Sequence, residues 1–391
     1  MRPAASCAKL ILLSLALSLA LKATPAGQTA QPPPDPQKLF EQARAAQESG
    51  DTKVAVQRYQ ELIRLYPDMV AARANLAVAL ASLGRFDDAI EQYDVALAEA
   101  PGDPALRLDL GLAYYKKNDF AGAAAQFALV HASKPDDVRA TTLLGNCDVQ
   151  LGLVNQALAL LSPLEKTNGD NLDLEWALGT ALIRAGKTRD GLERVQRVAD
   201  RGHNIEAYQL AADLYLGLTY FDQARQDAEA VIRLNPKIAK AYVVLGLVED
   251  YAGNPAAAAD EYQKALQIDP KDPQALLQLA NALYIQRKLG DARAQIDHLL
   301  SIDPKSSPAR YELARIERAQ GELPAALKDL ETVEEQDPQW LLPHVDLTAL
   351  YYRMNRPEDG AREKRIVDQL RAEERNRRNE NHIISPQVPA Q

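Results

Sequence analysis

The sequence predicts an all-α solenoid built from antiparallel helix pairs, and three observations carry that prediction. Prolines stand at Pro67, Pro101, Pro135, Pro236, Pro270, Pro304 and Pro338, with spacings of 34, 34, 101, 34, 34 and 34 residues. The wide gap holds three units, one of them a residue short. A small residue keeps the same frame at Ala77, Gly111, Gly145, Gly179, Ala212, Gly246, Ala280 and Ala314. A second small residue recurs at Ala55, Ala89, Ala123, Ala157, Gly191, Ala224, Ala258, Ala292 and Ala326. Between the two series lies a turn, marked by Gly50, Gly84, Gly152, Gly186, Gly253 and Gly321. Such a period overrides any domain count taken from length, because a solenoid grows linearly. Composition agrees: aromatics are only 6%, and helix formers (Ala, Leu, Glu, Gln, Arg) dominate.

Taken in order, residues 1–26 read as a signal peptide. Arg2 and Lys9 precede an apolar run from Leu10 to Leu21, and small residues follow to Ala26. That n-region, h-region and small-residue pattern is the mark of an exported chain. The run is about a dozen residues, short of the roughly 20 a spanning helix needs. Cleavage is expected near Ala23 or Ala26, with an uncleaved anchor as the alternative. Cys7 precedes the run and is misplaced for lipid attachment. Loss of Arg2, Lys9 and Lys22 takes the formal charge from −9 to about −12. Residues 27–35, "GQTAQPPPD", form a proline-rich leader, expected to be extended.

Residues 36–374 divide into ten units starting at 36, 70, 104, 138, 172, 205, 239, 273, 307 and 341. The unit at 70–103 shows the logic. Leu76, Leu80 and Leu83 are spaced three and four apart, one face of a helix. Gly84 permits the backbone that ends it. Asp87 and Asp88 favour the next helix's N-terminus, and Ala89, Tyr93 and Ala96 form its buried stripe. Pro101 disfavours helical geometry in the residue before it. The next start repeats a cap followed by proline, as in Asp103-Pro104, Asp272-Pro273 and Ser307-Pro308. Helices of a pair approach closely only where side chains are short. A bulky replacement at Ala89 or Gly145 is expected to cost ~1–3 kcal/mol. Residues 375–391 are a polar cap end and a tail, "HIISPQVPAQ", read as unstructured or as a docking peptide.

The pattern, in stretches such as "LGRFDDAIEQYDVALAEAP" and "AGNPAAAADEYQKALQIDP", resembles the tetratricopeptide repeat family over residues 36 to 374. The resemblance implies a right-handed superhelical array. Two units depart from it. Unit five (172–204) is a residue short and has Gly191 where alanine is usual. Unit ten has Ala372 in place of the closing proline, and "AREKRIVDQLRAEERNRRNEN" reads as a polar capping helix.

Chemical motifs are sparse. Gly186-Lys187-Thr188 suggests a phosphate loop, but Ala181 stands where that loop needs its first glycine, and no strand leads in. His131, His203, His298, His344 and His382 lie far apart and are read as solvated or capping, not as metal ligands. No CxxC pair is present, so no structural zinc site of that kind is expected. Cys147 reads as a small buried hydrophobe, with a reactive thiol as the alternative. The carboxylates form no acid/base pair to prefer. Neither a cofactor nor a metal is expected, and the acidic balance with no basic stripe argues against nucleic acid.

By the resemblance, positions two, five, nine, twelve and thirteen of each first helix line an inner groove. Unit three contributes Leu108, Leu112 and Tyr115, unit four Arg139 and Asn146, and unit five Trp176 and Ile183. Asp213 comes from unit six, and Val243, Leu247 and Tyr251 from unit seven. Unit eight adds Leu277, Asn281 and Tyr284, unit nine Tyr311, Arg315 and Arg318, and unit ten Tyr352. Aromatic surface punctuated by hydrogen-bonding groups is what a peptide groove requires. Any leucine or valine among them could instead pack between neighbouring first helices. The lysine–asparagine clamp with which some family members hold a C-terminal carboxylate does not recur in consecutive units.

The expectation is a non-enzymatic scaffold that binds an extended peptide or partner helix. It would be periplasmic or secreted, and act in assembly of an envelope or secretion complex. Three alternatives stand beside it. One is an enzyme-associated solenoid acting on cell-wall polysaccharide or peptide. Another is a self-associating structural repeat. The third concerns location: an inner-membrane-anchored form facing the periplasm, whose membrane contact is the uncleaved signal alone. Oligomeric state is left open.

Overall fold

The computed structural model describes residues 34–384, which fall into two compact units dividing between Asp109 and Leu110. Residues 1–33, which hold the expected signal segment and most of the leader, and residues 385–391 lie outside the described residues. Every described element is helical, and among the described residues there is no strand.

The first unit pairs α1 (Pro36–Glu48) with α2 (Thr52–Leu65) and α3 (Val70–Ser82) with α4 (Phe86–Glu99). It closes within α5 (Pro104–Lys116), which continues across the boundary. Ala89, Tyr93 and Ala96 of α4 are buried, as are Leu76 and Leu80 of α3. Leu83, expected on the same face, is exposed because it caps the end of α3.

The second unit continues with α6 (Phe120–Ser133), α7 (Val138–Gln150), α8 (Val154–Leu161), a 3-10 turn (Ser162–Leu164) and the short α9 (Glu165–Asn168). Next come α10 (Leu172–Arg184), α11 (Thr188–Gly202), α12 (Ile205–Gly217), α13 (Phe221–Leu234), α14 (Ala239–Tyr251) and α15 (Pro255–Ile268). The chain ends with α16 (Pro273–Ile285), α17 (Leu289–Ile302), α18 (Ser307–Gln320), α19 (Leu323–Gln336), α20 (Leu341–Arg353) and α21 (Pro357–Ile384). The second helix of unit four is the irregular one. Pro163 has no N–H to give and crowds the preceding turn, so α8 stops and a 3-10 turn follows. The last pair shows the reverse. With Ala372 where a proline usually stands, α21 runs 28 residues unbroken, and its helix takes in 382–384 of the predicted tail.

Most first helices start on a polar cap, whereas α3, α14 and α20 follow Met69, Ile238 and Trp340 with no side-chain cap. Asp137 accepts from the Ala140 N–H at 3.0 Å, and Asp272 from that of Ala275 at 2.9 Å. Each removes one orphan donor of a helix end. In unit nine the cap is Ser306, which accepts from the Ala309 N–H. Ser307 is instead the first helical residue, and its hydroxyl donates to Gln336 at 3.0 Å.

The joint inside each pair has one backbone solution. Gly50, Gly84, Gly152, Gly186, Gly253 and Gly321 all have left-handed φ of 75–87°. The pairs without glycine place Asn118, Thr219, Arg287 and Asn355 in the same region, φ 59–64°. The Gly186-Lys187-Thr188 stretch is one of these joints. Gly191 also has a specific cause. A Cβ there would lie 2.6 Å from the Gly179 carbonyl oxygen and 2.7 Å from Ile183. The paired glycines let the backbones of α10 and α11 approach more closely than alanine would.

Cys147 is fully buried, and burial together with Asp148 pushes its thiol up to about 12, which keeps it neutral. His344, read from sequence as solvated or capping, is instead in the interior at 1% exposure.

Candidate binding cleft

The first helices of units three to five, α5, α7 and α10, frame a cleft of about 490 Å³ lined by Leu112, Arg139, Thr142, Leu143, Asn146, Asn171, Asp173 and Trp176. Local sequence sets each wall. Asn171 caps α10, accepting from the N–H groups of Asp173 at 3.0 Å and Leu174 at 3.1 Å, which fixes its side chain at the rim. Asp173 follows in the first turn, where negative charge is favoured by the helix dipole. Trp176 is half-buried: its ring leans on the interior cluster around Leu192, Val195 and Tyr208, and its remaining surface faces the cleft. Arg139 stands exposed at the start of α7.

Apart from the capping Asn171, polar groups of the lining stand without protein partners. Among the described residues, the side chains of Arg139, Asn146 and Trp176 make no hydrogen bond or ion pair. The Thr142 hydroxyl, buried in the wall, has no partner either. The cleft therefore offers a cation, a two-way amide, a carboxylate and an aromatic edge within one concavity. Beside it, burial raises the Tyr115 phenol above its ordinary range, with smaller contributions from Cys147 and Glu206. Its ring packs edge-on against Phe120, centroids 5.4 Å apart.

Four predicted groove residues meet in this cleft: Leu112, Arg139, Asn146 and Trp176. The others are placed differently. Leu108 is partly buried in the first unit. Ile183, Leu247, Leu277 and Tyr284 are partly buried against interior clusters. Asn281 is partly exposed. Asp213 accepts a 2.5 Å hydrogen bond from Lys240. The Arg315 guanidinium lies 4.7 Å above the Tyr284 ring and donates to Glu312 at 2.6 Å. Arg318 donates to Asp346 at 2.5 Å. Tyr251 is 65% exposed and stacks on Phe221 at 4.7 Å beside the α12–α13 joint. Tyr352 is exposed near the end of α20.

Two assignments are corrected. Val243 is 2% and Tyr311 8% exposed, so neither is a groove surface. Both hold position five, which turns toward the next first helix. Val243 joins the cluster built with α16. Tyr311 packs on Trp340 at 4.8 Å and donates to Asp346 at 2.9 Å. Sequence reasoning also missed Thr142, Leu143, Asn171 and Asp173. The frame already held a signal for two of them: Asp173 is position two of unit five and Thr142 position five of unit four.

Two family models, both described as tetratricopeptide repeat, match the chain: one over residues 40–104 and 210–273, the other over 84–147 and 251–316. Together they cover more than half of it. The cellulose synthase operon protein C of Xanthomonas axonopodis pv. citri is 27% identical over 79% of this chain and 19% of its own length. The Hsp70-Hsp90 organizing protein of Triticum aestivum is 24% identical over 61% of this chain and 42% of its own. The chain thus spans about a fifth and less than half of these curated relatives. The Vi polysaccharide export protein VexE of Salmonella typhi is 32% identical over 37% of this chain and 24% of its own. Among solved structures, a tetratricopeptide repeat protein from Parabacteroides merdae superposes with a TM-score of 0.52 at 17% identity, covering 63% of this chain and 98% of that one. That likeness concerns the fold.

Proposed function

This chain belongs to the tetratricopeptide repeat family, and from that premise we propose that it is a non-enzymatic scaffold gripping an extended protein segment in the cleft of α5, α7 and α10. One observation carries the reading: a concavity whose cation, amide and indole have no partner among the described residues. Groups left unengaged in this way have no intramolecular bond to give up and can exchange hydrating water for hydrogen bonds to a ligand. Asn146 suits a peptide backbone, since its amide donates and accepts. Arg139 suits a carboxylate on the ligand. Trp176 supplies the kind of half-buried aromatic that anchors interfaces. The scaffold would work outside the cytoplasm, in assembly of an envelope or secretion complex. The signal-like residues 1–26 support that placement, as does the similarity to proteins whose names link them to cellulose synthesis and polysaccharide export.

Immobilised protein should capture a discrete partner from an envelope extract. Arg139→Ala and Trp176→Ala should each weaken that capture by ~1–3 kcal/mol, about 5- to 150-fold in Kd. Equal recovery by the parent and both variants would remove the cleft from consideration.

A further inference from the structure

Far from the cleft, three ligand-capable side chains converge from three successive helices: Glu334 of α19, His344 of α20 and Glu363 of α21. One donor atom from each lies within 4.8 Å of the other two. Glu363 is wholly buried and His344 nearly so.

The histidine is held from behind. The Pro338 carbonyl oxygen sits 3.0 Å from Nε2, so Nε2 carries a proton and donates it there. Nδ1 is thereby turned toward Glu363 Oε2, at 2.9 Å. A backbone carbonyl fixing the far nitrogen is how metal-ligating imidazoles are oriented. The second Glu363 oxygen, Oε1, is buried without a hydrogen bond. Its neighbouring cation, the Arg362 Nε, is 3.5 Å away, and that guanidinium already donates to Asp359 at 2.7 Å. Two carboxylates crowded in a poorly solvated space call for a small compact cation.

We propose that Glu334, His344 and Glu363 form a binding site for a divalent transition ion of the Zn²⁺ class. The donors would be His344 Nδ1 and one oxygen from each carboxylate, the ion displacing to solvent the proton that the Nδ1–Oε2 contact shares in its absence. Mixed imidazole and carboxylate donors suit Zn²⁺ and its first-row neighbours better than Ca²⁺ or Mg²⁺, which take oxygen alone. Neutral imidazole and two carboxylates balance the charge of the ion, and three protein ligands leave a fourth position for water. When bound, the ion would clip the first turns of α21 to the two helices before it.

The test uses the full chain stripped with chelator. Co²⁺ should give a visible d–d absorption band, and Zn²⁺ should raise the melting temperature and slow hydrogen exchange in α21, both reversed by chelator. Glu334→Gln removes one ligand from the partly buried edge of the site. It should abolish the band and the Zn²⁺-dependent shift, while far-UV circular dichroism and the metal-free melting temperature stay near the parent's. His344→Ala should lose binding too, but it can fail to fold, and for that reason Glu334→Gln decides. Absence of a band and of a shift in the folded parent would overturn the proposal. So would Zn²⁺ stabilising the Glu334→Gln protein as strongly as the parent, since that would mark binding at surface histidines.

Discussion

The cleft on α5, α7 and α10 and the surface across α16, α18 and α20 use the same repeat positions to opposite ends. Asn146 and Arg315 both hold position nine of their units. Asn146 has no partner among the described residues and faces a concavity. Arg315 is folded back onto Glu312 and the Tyr284 ring. Arg318 is likewise joined to Asp346, which also accepts from Tyr311. The repeat frame thus decides where a side chain begins. The neighbouring unit decides whether it is used up. In units eight to ten the polar groups hold helices together, and in units three to five they are left for something else.

The largest test of that contrast is Asp346→Ala. It strips two donors, Arg318 and Tyr311, of their shared acceptor. Hydrogen bonds to charged groups contribute ~1.5–3 kcal/mol, so stability should fall by about 2 kcal/mol in urea unfolding. An unchanged midpoint would mean that the ion pair is decorative and the contrast weak.

An effect of similar size, but dependent on pH, comes from Glu317 on α18. It is buried beside Arg293 at 3.2 Å with Oε2 unpartnered. Burial first, and Asp329 next, raise its carboxyl to about 7, against the pull of Arg293. A raised acid binds its proton more tightly when folded than when unfolded. Its stability contribution is therefore full below the unfolded value and is lost as pH climbs from about 4.5 to 7. Glu317→Gln should flatten the stability profile across that window by ~1–3 kcal/mol relative to the parent. Parallel profiles for the two proteins would refute this.

The smallest expected change is the sharpest discriminator. Arg139→Ala and Asn146→Ala should each leave stability within about 0.5 kcal/mol of the parent, because neither side chain contacts a polar partner. A loss well above 1 kcal/mol in thermal or chemical unfolding would assign these residues to the fold rather than to a ligand.

The helix-pair architecture is legible in the sequence because prolines, small contact residues and joint glycines recur in one frame. Its exceptions have local physical reasons. Pro163 breaks α8 where the frame alone reads on. Thr219 and Arg287 take left-handed backbone because the packed helices on either side leave the joint no other path. The candidate cleft is legible in part. Arg139 and Trp176 follow from position, but position five also holds Val243 and Tyr311, and only the neighbouring first helix reveals that those two are buried. The Arg318–Asp346 bond joins residues 28 apart, and His344 meets a glutamate 19 residues on. Such pairings depend on register between neighbouring helices, which no local pattern encodes.

The left-handed joint has a consequence for how such a chain can change. Since glycine, asparagine, threonine and arginine all occupy it, what is inherited is a handedness at a fixed interval, not a residue. Duplicating or excising a whole block would leave every hinge in phase. Inserting a single residue within a helix would turn everything beyond it by about 100° and throw the apolar stripe out of line. Unit five, a residue short, absorbs its slip between helices rather than within one, at His203, where the chain leaves α11 with φ of 47°.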